Sequence, residues 1–309
     1  MRIFITGGTG FVGSYILYEL QCRGHEVVVL VRLGSEHKLP VNFSGETVIG
    51  DVFSFKMPAG CDAVIHLIGI LRQSKRTGIT FERLHFQATK SVADTAFSTG
   101  VKRFLLMSAN GAKPEGTPYQ YTKYMAEEYI KSKGFEWTIF RPSILFGDPD
   151  YPSGRVGKSE FCTTLLNQMI RPRVPAPMFH PGLNVKQAGK FKLQPVHVRD
   201  VATGIVASLT NQHSVGKTYC IGGTEQYTWR EIVDIISEAV GKKKWKIPTP
   251  AWGVKFMASL LSWFPAFPIT RDQVTMLMEG NICDDVEFWR DFGGEPVVFS
   301  VENLGYLQS

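Results

Sequence analysis

The chain has 309 residues, of which 44% are hydrophobic and 20% charged, with a formal net charge of +6. This is the make-up of a soluble globular protein with one large or two unequal domains. Its basic residues are spread out, apart from Lys242-Lys-Lys244 with Lys246 and a scatter from Arg171 to Lys192, and no nucleic-acid motif accompanies them, so no nucleic-acid partner is expected and anionic ligands or surfaces remain. Five scattered cysteines (Cys22, Cys61, Cys162, Cys220 and Cys283) without a C-x-x-C pair exclude a disulfide frame and a zinc site, and point to a reducing, cytoplasmic compartment.

In chain order, Arg2–Thr6 is an apolar run that predicts a strand, and no signal peptide is expected ahead of it. Gly7-Gly-Thr-Gly-Phe-Val-Gly13 follows directly, and an amphipathic stretch predicts a helix over Phe11–Cys22. A glycine pattern between strand and helix reads as a phosphate-binding loop. An early glycine permits the tight turn, Gly10 lets backbone approach a pyrophosphate, and Gly13 lets helix pack on strand. The free N–H groups and dipole of the helix start favour phosphate.

Further strands are predicted at Glu26–Arg32, Glu46–Gly50, Ala63–Leu67, Arg103–Ser108 and Trp137–Arg141, with helices at Phe81–Ser98 and Pro118–Lys133. Alternating strands and helices, with strands apolar throughout, predict an α/β fold: a doubly wound parallel sheet with helices on both faces. Residues 1–150 form the expected dinucleotide-binding domain. Arg32 ends the second strand nineteen residues after Gly13, where an Asp or Glu would hold a ribose 2′-hydroxyl. An Arg there accommodates a 2′-phosphate, so NADP(H) is favoured over NAD(H), with Ser35 and Lys38 as helpers. Asp51 follows the third strand and either accepts from adenine or caps a turn.

Thr117-Pro-Tyr-Gln120 has the form of a capping box with Pro at the first helical position. Tyr119 then lies in the first turn, with Lys123 one turn later on the same face. A nearby ammonium and the helix dipole are expected to lower the Tyr119 pKa, making it a general acid or base. Lys123 can also hold the nicotinamide ribose. Ser108 and Asn110, at a strand end, are candidates to polarise a carbonyl oxygen. Tyr121 points elsewhere and is expected to pack. Pro142 and Ser143 close the sixth strand at the edge where ligands bind.

After Gly147 the texture changes. Residues 151–309 are expected to form mostly a smaller α+β cap, with a segment near 191–222 returning to the first domain. The proline-rich Pro172–Pro181 stretch excludes regular helix. Helices are predicted at Val198–Leu209, Thr228–Val240, Trp252–Phe264 and Arg271–Met278, and a strand near Tyr219–Ile221. His197 precedes the first of these helices and reads as structural, and Asp200 suits its N-terminus. The aromatics of Trp252–Phe267 beside Lys242–Lys246 suggest peripheral membrane contact, although packing in the cap core is the favoured reading.

Together these residues resemble the short-chain dehydrogenase/reductase superfamily in its extended and atypical branches. The resemblance rests on Thr6–Gly13, Gly50-Asp51, Val64-Ile-His-Leu67, Tyr119/Lys123/Glu127, Arg141-Pro142 with Gly147, and Pro195–Ala202. Met107–Ala112, Trp137–Ser143 and Thr270–Gln273 are most similar to the atypical group of the NADPH-binding accessory subunit of respiratory complex I. The resemblance implies a Rossmann-like domain that binds NADP(H). It implies cofactor contacts from Gly7, Thr9, Gly10, Phe11, Val12 and Gly13. Beyond that loop it implies Asp51, Val52, Leu67, Ile68, Gly69, Lys123, Pro142 and Ser143. It implies an oxidoreductase, or an epimerase or dehydratase, using Tyr119, Lys123 and Ser108 on a small molecule held by the cap. It also admits a non-catalytic NADPH-binding subunit of a quinone-linked membrane complex. Two departures stand out: Ala109-Asn110 follows Ser108 where further serines are common, and Ile68-Gly-Ile70 replaces an Ala-rich loop.

Overall fold

The computed structural model describes every residue except 153–159, 183, 261–269 and 309. The first half runs β1 (Arg2–Thr6), α1 (Phe11–Cys22), β2 (Glu26–Val31), β3 (Glu46–Ile49), β4 (Ala63–His66), α2 (Ala88–Ser98), β5 (Arg103–Met107), α3 (Pro118–Ser132) and β6 (Glu136–Pro142). The second half begins with β7 (Leu145–Phe146), α4 (Phe161–Leu165), β8 (Ala176–His180), β9 (Lys192–Leu193), β10 (Val196–His197), α5 (Val198–Ser208) and β11 (Lys217–Ile221). It ends with β12 (Tyr227–Thr228), α6 (Trp229–Ala239), β13 (Lys246–Pro250), α7 (Ala251–Leu260), α8 (Arg271–Glu279) and α9 (Val286–Phe292).

Seven parallel strands form the main sheet in the order β11-β6-β5-β4-β1-β2-β3. The fold is Rossmann-like. Its strands are apolar throughout because both faces are covered. Ile3, Ile5, Val27, Val29 and Val31 face one core with Leu17 and Leu20 of α1, Val201 and Ile205 of α5, and Phe288 of α9. The alternate residues Phe4, Val28, Leu30, Val64, Phe104 and Leu106 face the other, with Val92 and Ala96 of α2 and Ala126 and Ile130 of α3. This two-residue alternation puts α3 on the same face as α2 and opposite α1.

β11 and α5 lie beyond residue 190 yet complete this sheet and one of its layers. Apart from β10 and α9, which join the first core, the remaining second-half elements build a separate core around Met178, Phe179, Trp229, Ile232 and Val233, with Phe146 and Leu166. The proline-rich stretch, expected only not to be regular helix, contains a strand. β8 pairs in parallel with β13 through Ala176↔Lys246 to His180↔Pro250. A two-stranded ladder tolerates Pro177, Pro248 and Pro250 because each strand has an unpaired outer edge. The predicted Trp252–Phe264 helix starts at Ala251, and its end from residue 261 lies outside the described residues. The predicted Phe81–Ser98 helix is one helical run whose first part, Glu82–Gln87, is π-helical.

Candidate functional site

The strand order reverses between β1 and β4, and the carboxyl ends of these strands are where such a topology sets a ligand crevice. Two loops meet there. Gly7 takes a left-handed φ of +79°, and a Cβ on it would lie 3.0 Å from the carbonyl carbon of Leu67. A Cβ on Gly13 would lie 2.6 Å from the Cα of Gly8, too close for any side chain. Gly13 therefore lets α1 start against the loop backbone itself, a closer neighbour than the strand expected from sequence. Gly10 is exposed and extended, and its N–H closes the turn on the Gly7 carbonyl at 3.0 Å.

Helix α1 has no side-chain cap and no acidic residue in its first turn. The N–H groups of Phe11, Val12 and Gly13 thus lack intrahelical acceptors, and the positive end of the helix dipole is uncompensated. The Phe11 and Val12 side chains pack down on the α1–α5 core, and Thr9 is partly exposed.

To one side of the loop stand the ends of β2 and β3. Arg32 is exposed where β2 ends, and its guanidinium has no carboxylate partner among the described residues. Its carbonyl accepts from the Ser35 N–H at 2.9 Å, which turns the chain back toward exposed Lys38. Asp51 uses one carboxylate oxygen to accept the Phe53 N–H at 2.9 Å, the turn-capping role. Val52 is buried under α2, and its carbonyl accepts from Ser91 Oγ at 2.8 Å.

On the other side stand β4, β5 and α3. The capping box is present: Thr117 Oγ1 accepts the Gln120 N–H, and Gln120 Oε1 accepts the Thr117 N–H at 2.8 Å. Tyr119 is partly exposed and Lys123 is buried one turn on. Lys123 Nζ donates to the Met107 carbonyl at 3.1 Å and lies 3.2 Å from where a Cβ on Gly69 would stand. Leu67 and Ile68 are partly buried, and Gly69 is exposed.

The expected fall in the Tyr119 pKa is not found. Burial pushes it up to about 12, and the same cause pulls Lys123 down to about 8, partly opposed by Glu127. The ammonium is turned to a β5 carbonyl, so desolvation outweighs any gain to the phenolate. Tyr121, expected to pack, is 44% exposed.

Ser108 is buried and donates its hydroxyl to Glu127. Glu127 is buried too and is held by Arg141, whose Nε donates to it at 2.9 Å and whose Nη2 pairs with its other oxygen. Ser108, Glu127 and Arg141 thereby tie β5, α3 and β6 together. Asn110 donates to Asn281 Oδ1 at 2.6 Å and to the Ile282 carbonyl at 3.0 Å, so its amide hydrogens reach the segment after α8. Its N–H donates to the Pro142 carbonyl at 2.9 Å. Ser143 is buried, with its hydroxyl donating to the Gln194 carbonyl. His197 caps α5 by accepting the Arg199 N–H at 3.1 Å, a structural role.

Two features of this end, His66 and His85, were not anticipated from sequence. His66 lies wholly buried at the end of β4, its Nδ1 2.7 Å from Thr6 Oγ1 and its Nε2 without a hydrogen-bond partner among the described residues. His85 is buried against Tyr119. The cap also reaches over this end: Glu279 of α8 accepts from Gln120 at 2.9 Å and pairs with Lys113 at 3.0 Å, and Gln273 donates to the Leu71 carbonyl at 3.3 Å. Only the spacing of Glu127, one turn beyond Lys123, hinted that the α3 stripe continues inward.

Residues 3–222 match the NAD dependent epimerase/dehydratase family. Among curated proteins, the chain is similar to the mitochondrial NADH-ubiquinone oxidoreductase 40 kDa subunit of Neurospora crassa, with 24% identity over 99% of this chain and 78% of that protein. It is 28% identical to the NADH dehydrogenase (ubiquinone) 1 alpha subcomplex subunit 9 of Arabidopsis thaliana, over 90% of this chain and 68% of that one. Among solved structures, a UDP-glucuronic acid 4-epimerase from Bacillus cereus in complex with NAD aligns with a TM-score of 0.71 at 18% identity. That alignment covers 100% of this chain and 97% of the epimerase.

Proposed function

The chain belongs to the NAD-dependent epimerase/dehydratase family, and on that premise we propose that it is an NADP(H)-binding oxidoreductase with Tyr119 as proton donor or acceptor. The observation that carries the reading is the cradle at the switch point. Gly7 and Gly13 stand where a Cβ would strike backbone, and the uncapped start of α1 faces outward beside them. These residues fit a pyrophosphate. Gly7, Thr9 and Gly10–Gly13 would hold it. Exposed Arg32, without a carboxylate partner among the described residues, would take a 2′-phosphate through forked, charge-assisted hydrogen bonds. Leu67, Ile68, Gly69 and Lys123 would bound the nicotinamide end, and Pro142 and Ser143 its far side. Asp51 and Val52 would flank the adenosine end by their backbone.

When bound, the nicotinamide supplies or accepts a hydride. Tyr119 moves the accompanying proton at its phenolic oxygen. Tyr119 is protonated at neutral pH, the form that donates to a carbonyl undergoing reduction, and the burial that raises its pKa makes the proton-accepting direction the harder one. Lys123, pulled down to about 8, carries its charge at neutral pH and can leave the Met107 carbonyl for a ribose hydroxyl. Ser108 acts through Glu127 to hold α3 in register, not as an oxyanion donor. The cap over Lys113 and Gln120 shields the reacting end from water. The substrate is a small molecule beneath α8. Replacing Tyr119 with Phe should cut NADPH oxidation across a panel of small carbonyl compounds about a hundredfold or more while NADPH affinity is kept. Equal turnover by Tyr119→Phe and the parent would sink this reading.

A second reading is a dinucleotide-binding subunit docked at a membrane complex. It is favoured by an exposed aromatic face on the cap: Trp245 is 81% exposed, and Trp252 and Phe256 are each 61% exposed, beside Lys242–Lys246. These aromatics do not fill the cap core, contrary to the expectation from sequence; Trp263, Phe264 and Phe267 lie outside the described residues. Among the described residues no helix is long and apolar enough to cross a membrane. A Trp252→Asp variant that co-sediments with anionic vesicles as well as the parent does would remove this reading.

A further inference from the structure

The loop leaving β4 runs between the glycine cradle and the Tyr119–Lys123 pair, so its backbone must be fixed for either to work. His85 meets it from the other side. Its Nε2 lies 3.1 Å from both the N–H and the carbonyl oxygen of Ile70, and its Nδ1 lies 3.0 Å from Thr122 Oγ1 on α3. One arrangement of protons accounts for both the Thr122 contact and the Ile70 N–H. Thr122 spends its hydroxyl hydrogen on the Pro118 carbonyl at 2.8 Å, so it accepts from His85 Nδ1–H. Nε2 is then a bare lone pair, and it accepts the Ile70 N–H. The ring edge meets Tyr119 at 5.1 Å and 89°, and Phe81 stacks on it at 5.2 Å.

The backbone at His85 departs from an α-helix to allow this. Glu82–Gln87 is a π-helical turn in which the Ala88 N–H donates to Arg83, five residues back. The wider turn shifts its side chains out of the register that α2 alone would impose. The His85 carbonyl is satisfied by Thr89 Oγ1 at 2.5 Å. One side chain thus grips the β4 loop, the first turn of α3 and the Tyr119 ring.

We propose that His85 is a positioning residue, delivered by the π turn, which fixes the Gly69–Ile70 backbone and the Tyr119 ring around the nicotinamide end of the site. It rests on the dinucleotide-binding reading above and deepens it: the clamp acts on one half of the ligand only. A residue that merely stabilised the fold would affect both halves alike.

Calorimetric titration of NADPH, NADH and the nicotinamide-free fragments ADP-ribose and its 2′-phosphate separates the two. His85→Leu removes both polar contacts at similar volume. It is expected to weaken the preferred dinucleotide about tenfold while the fragments bind as they do to the parent. His85→Gln, which restores an acceptor for Ile70, is expected to recover most of that loss. Thr122→Val, which unlocks the ring without touching the loop, should show the same selective loss in smaller measure and serves where His85→Leu does not fold. Equal weakening of dinucleotide and fragments, or none, in the folded variants overturns the inference. A parent chain that binds none of the four ligands overturns the dinucleotide reading itself.

Discussion

The two ends of the crevice are built from different materials. The glycine cradle is made of backbone. Its tolerances are set by missing side chains at Gly7 and Gly13, and its polarity comes from N–H groups at the start of α1 that lack intrahelical acceptors. The Tyr119–Lys123 end is made of side chains from β4, β5, the π turn, α3 and α8, several buried and titratable. Backbone N–H groups offer a fixed dipole at no side-chain entropy cost. Buried Lys123, His66 and His85 are held at the expense of solvation, which pulls all three toward their neutral forms. On the function proposed above, the first end would bind whatever carries phosphate, and the second would decide what is done with it.

Substitutions on the cradle should sharpen this contrast most. Gly13→Val drives its branched side chain into the Gly7–Gly8 backbone and should cost about 3 kcal/mol of stability. It should also abolish dinucleotide binding, more than about a hundredfold. Thermal melts with and without NADPH check both, and a variant stabilised by NADPH as the parent is would show that the loop is no cradle. Arg32→Ala touches no packed contact. It should weaken NADPH between about tenfold and a hundredfold, the worth of hydrogen bonds to a charged group, and leave NADH unchanged. Equal loss of both would move the phosphate preference elsewhere.

The same contrast explains what could be read from the chain. Gly7–Gly13, the Phe11–Cys22 helix and the Thr117–Gln120 capping box depend on neighbours a few residues away, and each has the predicted form. Sheet strands of continuous Val, Ile and Leu were legible for the same reason. The β8–β13 pair was not, because its prolines argue against strands and its partners lie some seventy residues apart. The environment of Tyr119 was illegible as well. Helical spacing puts Lys123 on the same face, but whether its ammonium turns to the phenol or to Met107 depends on how β5 packs against α3. His85 was invisible because a π turn has no local signature and its partners, Ile70 and Thr122, lie 15 and 37 residues away.

The side-chain end should also betray itself in acid. His66 is wholly buried, and desolvation, with Lys123 nearby, pulls its pKa from 6.5 to about 3. A folded-state pKa below the unfolded one means that the unfolded chain takes up the proton first. The stability contributed by neutral His66 is therefore full above pH 6.5 and is lost as pH falls toward 3. Between pH 6.5 and 5 this one residue should cost the fold about 1–2 kcal/mol. His66→Met keeps an apolar side chain beside Phe104 and removes the titration. Urea midpoints across that range should fall less steeply for His66→Met than for the parent, with the gap closing near neutrality. Parallel curves would mean that the proton is taken up elsewhere. His85 and His197, which burial pulls to about 2 and about 4, are the groups to replace next. None of this should alter the cradle, where Gly7–Gly13 carries no ionisable side chain, so binding of ADP-ribose should persist wherever the chain is folded.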